Sequence, residues 1–314
     1  MSLSMRLLIT GGAGCLGTNL IEEFLPAGHD VCILDNFATG KRAAVAGIEG
    51  LIVHEGSVAD GDLVDRVFET FRPTHVIHSA AAYKDPDDWL EDVASNVAGT
   101  INVARAARKA GVRRLVNFQT ALCYGRPAAV PIPVDAPVAP FTSYGISKAA
   151  GEHYLSLAEL PVVSLRLANV TGPRLAIGPI PTFYKRLKEG KPCFCSETVR
   201  DFLDMRDFLA LMHKVLADGA PTGIYNVSTG HGNTIKDIFD TVVDYLGIEL
   251  SEPVKIVPAG DDDVSEVVLD PSLTERDFGW KAQISFRDTI RDMLAWYDRH
   301  GVSDIYSHLS APGR

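Results

Sequence analysis

The chain has 314 residues, 46% of them hydrophobic, enough to bury a full core in one large or two modest domains. Its 40 acidic against 30 basic side chains leave a formal charge of −10, which excludes a broad nucleic-acid surface but leaves room for a local basic pocket holding one nucleotide. Five cysteines at scattered positions (Cys15, Cys32, Cys123, Cys193, Cys195), with no CxxC and no histidine at zinc-like spacing, indicate neither a disulfide framework nor a metal site and fit a reducing cytoplasm.

The leading MSLS reads as an added remnant, with Met5 the natural start, and the apolar stretch behind it ends too soon in glycines to be a signal peptide. No apolar run approaches the ~18 residues that cross a bilayer. RLLIT at residues 6–10 predicts a strand, Cys15 to Leu25 an amphipathic helix, and VCILD from Val31 a second strand. The alternation continues through LIVHEG, the helical DGDLVDRVFETF, THVIHSA, one long helix over WLEDVASNVAGTINVARAARKAG, RLVNFQT, a helix around YGISK, and PVVSLRLANV. Continuous apolar strands separated by helices predict an α/β fold, a doubly wound Rossmann-type parallel sheet covered on both faces. Past residue 172, Pro- and Gly-punctuated segments and shorter helices predict a smaller, partly interleaved C-terminal α/β domain. The expected division is 1–172 with a return segment near 205–232 for the first domain, and 173–204 with 233–314 for the second. The acidic run PAGDDDVSE reads as a solvated loop, since it lacks the glycine and spacing of a calcium loop.

The first strand runs into TGGAGCLG, which spaces Gly11, Gly14 and Gly17 as GxxGxxG and opens a helix at Cys15 and Leu16. Glycines there permit the tight turn and let a pyrophosphate approach the amides of a helix N-terminus. Asp35, at the end of the second strand, suits a carboxylate accepting from adenosine ribose hydroxyls and repels a 2′-phosphate, which favours NAD over NADP; Lys41 and Arg42 weaken that preference without reversing it. The alternative is a structural turn followed by an unrelated acid. Two YxxxK spacings occur, Tyr144 with Lys148 and Tyr184 with Lys188, each putting both side chains on one helix face.

Together these segments resemble the extended short-chain dehydrogenase/reductases, and within them the NAD-dependent nucleotide-sugar epimerases and dehydratases. TGGAGCLG, LDNFATG, HSAA, NVAGTIN, SYGISK, LRLANVTGP, RDFLDMRD, YNVSTG and FGW follow the family's motifs in order. The resemblance implies cofactor contacts from Gly11, Gly14, Cys15, Leu16 and Gly17; from Asp35, Asn36, Phe37, Gly40 and Lys41; from Ser57 and Val58; from Ala80, Ala81, Ala82, Lys84 and Asn96; and from Tyr144 and Lys148. Ser57 stands where relatives commonly carry an aspartate at the adenine, and Lys84 either reaches the cofactor pyrophosphate or is merely solvated. Counting back five residues from Gly125 in FQTALCYG assigns the family's catalytic hydroxyl to Thr120, which selects Tyr144 and Lys148 over the second pair. His78 is expected to end its strand with local hydrogen bonds, Tyr83 and Trp89 to pack, and the helices at 89–110 and 144–160 to form a homodimer interface.

In this assignment Lys148 and an oxidised nicotinamide lower the Tyr144 pKa from about 10 toward neutrality, making it a base, while Thr120 orients the same sugar hydroxyl. Three departures from the family pattern bear on substrate and reaction. Ala121 and Leu122 replace the Asp and Glu of the dehydratases, which leaves oxidation and return of a hydride, hence epimerisation. Gln119 replaces a small serine and is expected to reshape the sugar pocket. PAGD lacks the phosphate-pairing arginine near 258, so Arg200 becomes the leading diphosphate contact, assisted by Asn169 and Arg174; the alternative for Arg200 is an ion pair with Asp201 or Asp204. The expectation is a C4 epimerase of a nucleotide-diphosphate sugar, UDP-linked before others, serving surface polysaccharide synthesis. A dehydrogenase, reductase or dehydratase-like relative and a catalytically silent nucleotide-binding regulator are the alternatives.

Overall fold

A computed structural model describes residues 4–260 and 263–305; Asp261 and Asp262 of the acidic run and the first three residues of the leading segment lie outside the described residues. Six apolar runs become the strands β1 (Arg6–Thr10), β2 (Asp30–Asp35), β3 (Ile52–Glu55), β4 (His75–His78), β5 (Arg114–Thr120) and β6 (Val162–Leu167). With a seventh strand, Gly223–Val227, they form one sheet in the order Gly223–Val227, β6, β5, β4, β1, β2, β3. The pairings of β1 with β2 and β4, of β2 with β3 and of β4 with β5 are all parallel. Leu7, Leu8, Ile9, Ile33, Val76, Ile77, Leu115 and Val116 are fully buried, as strands covered on both faces require.

Helices α1 (Cys15–Phe24) and α2 (Gly61–Phe71) follow β1 and β3. The Asp60 carboxylate accepts from Leu63 N at 3.0 Å and caps α2. The stretch expected to be one long helix is instead α3 (Trp89–Asp92), a wider π-helical segment (Val93–Ala98) and α4 (Gly99–Ala110). The π turns let Asn96 leave the regular helical register, a distortion frequent at functional sites. Helix α5 (Ser143–Leu155) starts from Thr142, whose hydroxyl accepts from Gly145 N at 3.1 Å. A buried ion pair anchors its far end to β6: Glu152 Oε1 lies 2.6 Å from Arg166 Nη2, Ser164 Oγ donates to Glu152 Oε2 at 2.6 Å, and Arg166 donates to the Tyr124 hydroxyl at 2.9 Å.

The chain divides into two compact units, finer in their interleaving than expected. The first comprises Met1–Gly125, Val138–Arg166 and Leu211–Tyr225; the second comprises Arg126–Pro137, Leu167–Ala210 and Asn226–Arg314. Arg126–Pro137 joins the second unit because Ile132 N donates to Val268 O at 2.8 Å and Ile132 O accepts from Asp270 N at 2.9 Å. The core of the second unit packs Ile180, Phe183, Phe239, Ile290, Leu294 and Tyr297 from three helices, Pro179–Lys188, Ile235–Leu246 and Phe286–His300. Among the described residues no helix is long and apolar enough to cross a membrane.

The glycines of α5 are spaces for main chain. A Cβ at Gly151 would stand 2.5 Å from the Asn96 carbonyl oxygen, and one at Gly145 would stand 3.0 Å from that of Leu122. Gly151→Ala is therefore expected to cost about 1–3 kcal/mol through overpacking, against the gain of about 1 kcal/mol that helix propensity alone gives. Urea unfolding measures the sign; an unchanged or raised midpoint would mean that α5 can move away freely.

Candidate active site

The strand order reverses between β1 and β4, the switch point where open α/β sheets bind ligands. The glycine turn lies there. Gly11 has φ +68°, and a Cβ on it would sit 2.7 Å from Ala80 N; one on Gly12 would strike Ile33, and one on Gly17 would sit 2.5 Å from Gly12 Cα. Gly14, the N-cap of α1, meets only Gly11 O at 3.3 Å. The α1 N-terminus carries no side-chain cap and no acid in its first turn, so nothing negative competes there with a phosphate. Gly12 was not singled out in the sequence, although it is the second glycine of TGG; its constraint is packing against β2.

Asp35 is buried at the end of β2, its Oδ2 accepting from Ala13 N at 2.8 Å and its Oδ1 from Phe37 N at 2.7 Å. Burial raises its pKa and the two amide bonds oppose the rise. The carboxylate thus ties the glycine turn to the loop after β2 and keeps further lone pairs for ribose hydroxyls. Gly40 lets that loop close on the turn, since a Cβ there would stand 2.8 Å from Ala13 Cβ; Lys41 N donates to Ala13 O at 3.4 Å. Phe37 takes φ +57°, and Arg42 lies over its ring at 4.2 Å while forming a two-pronged ion pair with Glu55. Arg42 is therefore engaged by Glu55 and Phe37 at the surface, which weakens its share of the argument for a 2′-phosphate. Asn36 Oδ1 accepts from Ala38 N at 3.0 Å, and the Ser57 hydroxyl accepts from Ala59 N at 3.1 Å. Val58 is buried, with its carbonyl held by Asn102 at 3.0 Å. Lys84 is exposed.

A polar chain holds the loop after β4. Ala80 N donates to Thr10 Oγ, which lies 2.8 Å from His78 Nδ1. Thr100 spends its proton on Asn96 O at 2.7 Å, so it accepts from His78 Nε2 at 2.9 Å, and Nδ1 is left to accept from Thr10. Burial, aided by the Lys148 charge, pushes the His78 pKa down to about 3, so this neutral tautomer persists. Asn96 departs from its expected role as a direct cofactor contact. Its carboxamide accepts from Ala82 N and donates to Ala82 O, both at 2.9 Å, and donates to Ser147 Oγ at 3.0 Å, so it fixes the loop of Ala80, Ala81 and Ala82 to α5.

Thr120 closes β5, its Oγ accepting from Leu122 N at 3.2 Å, and its hydroxyl is hydrogen-bonded to Tyr144. The Tyr83 ring packs on Tyr144 with centroids 5.8 Å apart. Trp89, expected to pack, is 66% exposed. The Tyr144 titration is also corrected: in the protein alone burial pushes the phenol above its ordinary value, Tyr83 and Asp92 push the same way, and the Thr120 bond opposes them. Lys148 is 4% exposed, and burial lowers its ammonium to about 8 against the opposing charge of Glu152. Among the described residues no side-chain hydrogen bond holds that ammonium, so this buried cation, the open face of Gly14 and the carboxylate of Asp35 fit an anionic dinucleotide bearing ribose hydroxyls. Asp92 was missed: it is buried, and Ser143 Oγ donates to its Oδ2 at 2.6 Å. Its spacing of four from Asn96 and eight from Thr100 marks a polar stripe on an otherwise apolar helix face, which was the signal for it. Gln119 is corrected as well, since it is 2% exposed and bound to main chain at both ends of its carboxamide rather than facing open space.

In the second unit Arg200 forms an ion pair with Asp263, and neither expected partner takes part. Asp201 is spent on the amides and hydroxyl of Thr229 and Gly230, and Asp204 on Arg206 at 2.9 Å. Arg200 also donates to Val199 O at 2.8 Å. Asn169 donates to Asp201 O at 3.0 Å, and Arg174 takes φ +70°. The rival pair is bound differently from the first: Tyr184 donates to Asp298 at 2.6 Å and accepts from Lys188 at 3.0 Å, while Tyr245 donates to the same carboxylate at 2.7 Å. Burial and Asp298 raise the Tyr184 pKa, and bonds from Tyr184, Tyr245 and Lys188 hold Asp298 at about 2.

The crystal structure of the Bordetella bronchiseptica enzyme WbmG in complex with NAD and UDP is 68% identical to this chain, with a TM-score of 0.94, covering 99% of this chain and 100% of that one. WbmH of the same organism, in complex with NAD+, is 40% identical with a TM-score of 0.89 and covers 96% and 100%. A UDP-glucose 4-epimerase of Mycolicibacterium smegmatis is 30% identical over 314 residues, which are 93% of this chain and 98% of that protein. Residues 7–228 match the sequence pattern described as the NAD dependent epimerase/dehydratase family, and the chain belongs to that family.

Proposed function

We propose that the protein is an NAD-dependent UDP-sugar epimerase acting at C4 through a transient 4-keto sugar, and that it supplies an activated sugar for surface polysaccharide in the cytoplasm. The observation that carries this reading is the hydrogen-bonded pair Thr120 and Tyr144, one helical turn from a buried Lys148, with Ala121 and Leu122 where a dehydratase needs acids. NAD, when bound, supplies the hydride acceptor and, in its oxidised form, a positive charge. Thr120 orients the sugar hydroxyl. Tyr144 takes its proton as general base and gives it back after the sugar has turned, so one residue serves both directions. Lys148 stabilises the phenolate during that interval. Arg200 is assigned to the diphosphate, which would take its guanidinium from Asp263, with Asn169 and Arg174 assisting; a planar guanidinium suits two phosphate oxygens at once. The similarity to a UDP-bound enzyme and to a UDP-glucose 4-epimerase supports UDP as the nucleotide.

Tyr144→Phe is expected to lower turnover by roughly 10²–10⁴-fold, the usual range for a lost general base, while the protein keeps its NAD. NMR of the stereochemistry produced from a panel of UDP-sugars measures it. Full turnover by the variant would overturn the base assignment, and net NADH accumulation in the parent would overturn epimerisation.

The protein is read as a homodimer. Trp89 and Leu90 of α3, Val93 at the start of the π segment, Ile146 and Tyr154 on α5 and Leu157 just past its end are exposed apolar residues of the kind that mark an interface. Leu90→Glu combined with Leu157→Glu is expected to yield a monomer in light scattering at micromolar concentration; a dimer that survives both charges uses another face.

A further inference from the structure

We propose that Gln119 is a positioning residue that sets the register between the strand carrying Thr120 and the helix carrying Tyr144 and Lys148. This rests on the assignment of those three residues as the reacting groups. The Gln119 carboxamide oxygen accepts from Thr120 N at 2.8 Å, and its nitrogen donates to the main-chain carbonyl of Lys148 at 2.9 Å. One planar group therefore joins the backbones of two site residues 28 positions apart. Only one orientation of the amide satisfies both ends, with its oxygen toward an N–H and its nitrogen toward a C=O.

The other restraints on α5 act elsewhere. Gly145 and Gly151 limit how near the helix can come, because a Cβ at either would meet a carbonyl oxygen. A steric limit of this kind sets a closest approach without holding the helix at one height. Ser143 is held by Asp92 and Ser147 by Asn96, both on the segment of residues 89–98, and Glu152 is held by Arg166 on β6. Gln119 ties α5 to the end of β5 itself, beside Thr120. The Lys148 carbonyl lies inside the helix, where the ladder uses one of its lone pairs and Gln119 takes the other. Losing the Gln119 bond therefore leaves α5 helical and, among the described residues, tied to the end of β5 only through the Thr120–Tyr144 side-chain bond, and a shift of about 1 Å costs on the order of 10²-fold in a reaction that depends on near-attack geometry.

Two substitutions test the proposal in the full-length protein with NAD bound. Gln119→Met keeps the volume and removes both hydrogen bonds; kcat is expected to fall about 10–100-fold, with KM for the UDP-sugar within about threefold of the parent. Gln119→Glu keeps the acceptor, but the ionised carboxylate cannot donate to the Lys148 carbonyl, whereas the protonated carboxyl can. Its kcat relative to the parent is expected to rise as pH falls from 8 to 6, and the titrations of Tyr144, Lys148, Asp92 and Glu152, common to both proteins, largely cancel in that ratio. A space-filling role moves neither the split between kcat and KM nor the pH dependence of the ratio. Parental kcat in Gln119→Met, a loss confined to KM, or a ratio for Gln119→Glu that stays flat with pH would overturn the proposal. If Gln119→Met fails to fold, as judged by circular dichroism, the ratio for Gln119→Glu decides alone. Tyr144→Phe assayed in parallel separates the two readings: full turnover there defeats the base assignment, while an inactive Tyr144→Phe beside a parental Gln119→Met defeats only the role given to Gln119.

Discussion

The position of α5 is the constraint on which the site depends. Its glycine face approaches main chain so closely that the helix has almost no tolerance for side-chain atoms at two points, the carbonyls of Leu122 and Asn96. Because interiors pack at crystal-like density, such a surface transmits displacement rather than absorbing it. Lys148 lies between these two contacts and Tyr144 directly before the first, so the packing of the glycines fixes where both side chains start. The glycines that weaken α5 as an isolated helix are what allow it to sit where chemistry can occur.

Burial then determines the protonation states in the site. Removing water disfavours every charged form, so the Tyr144 phenol rises, the Lys148 ammonium falls and His78 stays neutral. The protein alone is thus poised against the phenolate. A cation arriving beside Tyr144 acts in a medium of low dielectric, where its effect on the phenolate exceeds what it would achieve in water. An oxidised cofactor bound there would therefore oppose the rise in the Tyr144 pKa that burial causes. Asp92 adds to that rise, since its carboxylate also disfavours a second negative charge nearby.

Much of this organisation was legible in the residues. Strands buried on both faces write themselves as unbroken apolar runs, and RLLIT, VCILD and RLVNFQT all became central strands. The glycine turn could be read because backbone geometry leaves glycine no substitute at Gly11 or Gly17. The π segment could not: its residues fit an ordinary helical period, and no side chain among them marks the wider turn. Arg200 shows a second limit. Its neighbours Asp201 and Asp204 were the natural partners by distance along the chain, yet each is claimed by a loop or by Arg206, and the charge that answers Arg200 lies 63 residues away at Asp263. Gln119 shows the same limit, because its partner is a backbone carbonyl and carries no mark in the side-chain sequence.

The two YxxxK pairs show why spacing alone does not define a base. Both place a lysine one turn from a tyrosine, and Lys188 even touches its phenol oxygen, which Lys148 is not seen to do in the protein alone. What separates them is the third group. The Tyr184 proton points at the Asp298 carboxylate, an acceptor far more basic toward hydrogen bonding than a sugar hydroxyl, so losing that proton would set two negative charges against each other. The partner of Tyr144 is the hydroxyl of Thr120, which can donate to a phenolate as readily as it accepts from a phenol. The Thr120 hydroxyl thus tolerates both states of the Tyr144 phenol, whereas the Asp298 carboxylate opposes loss of the Tyr184 proton.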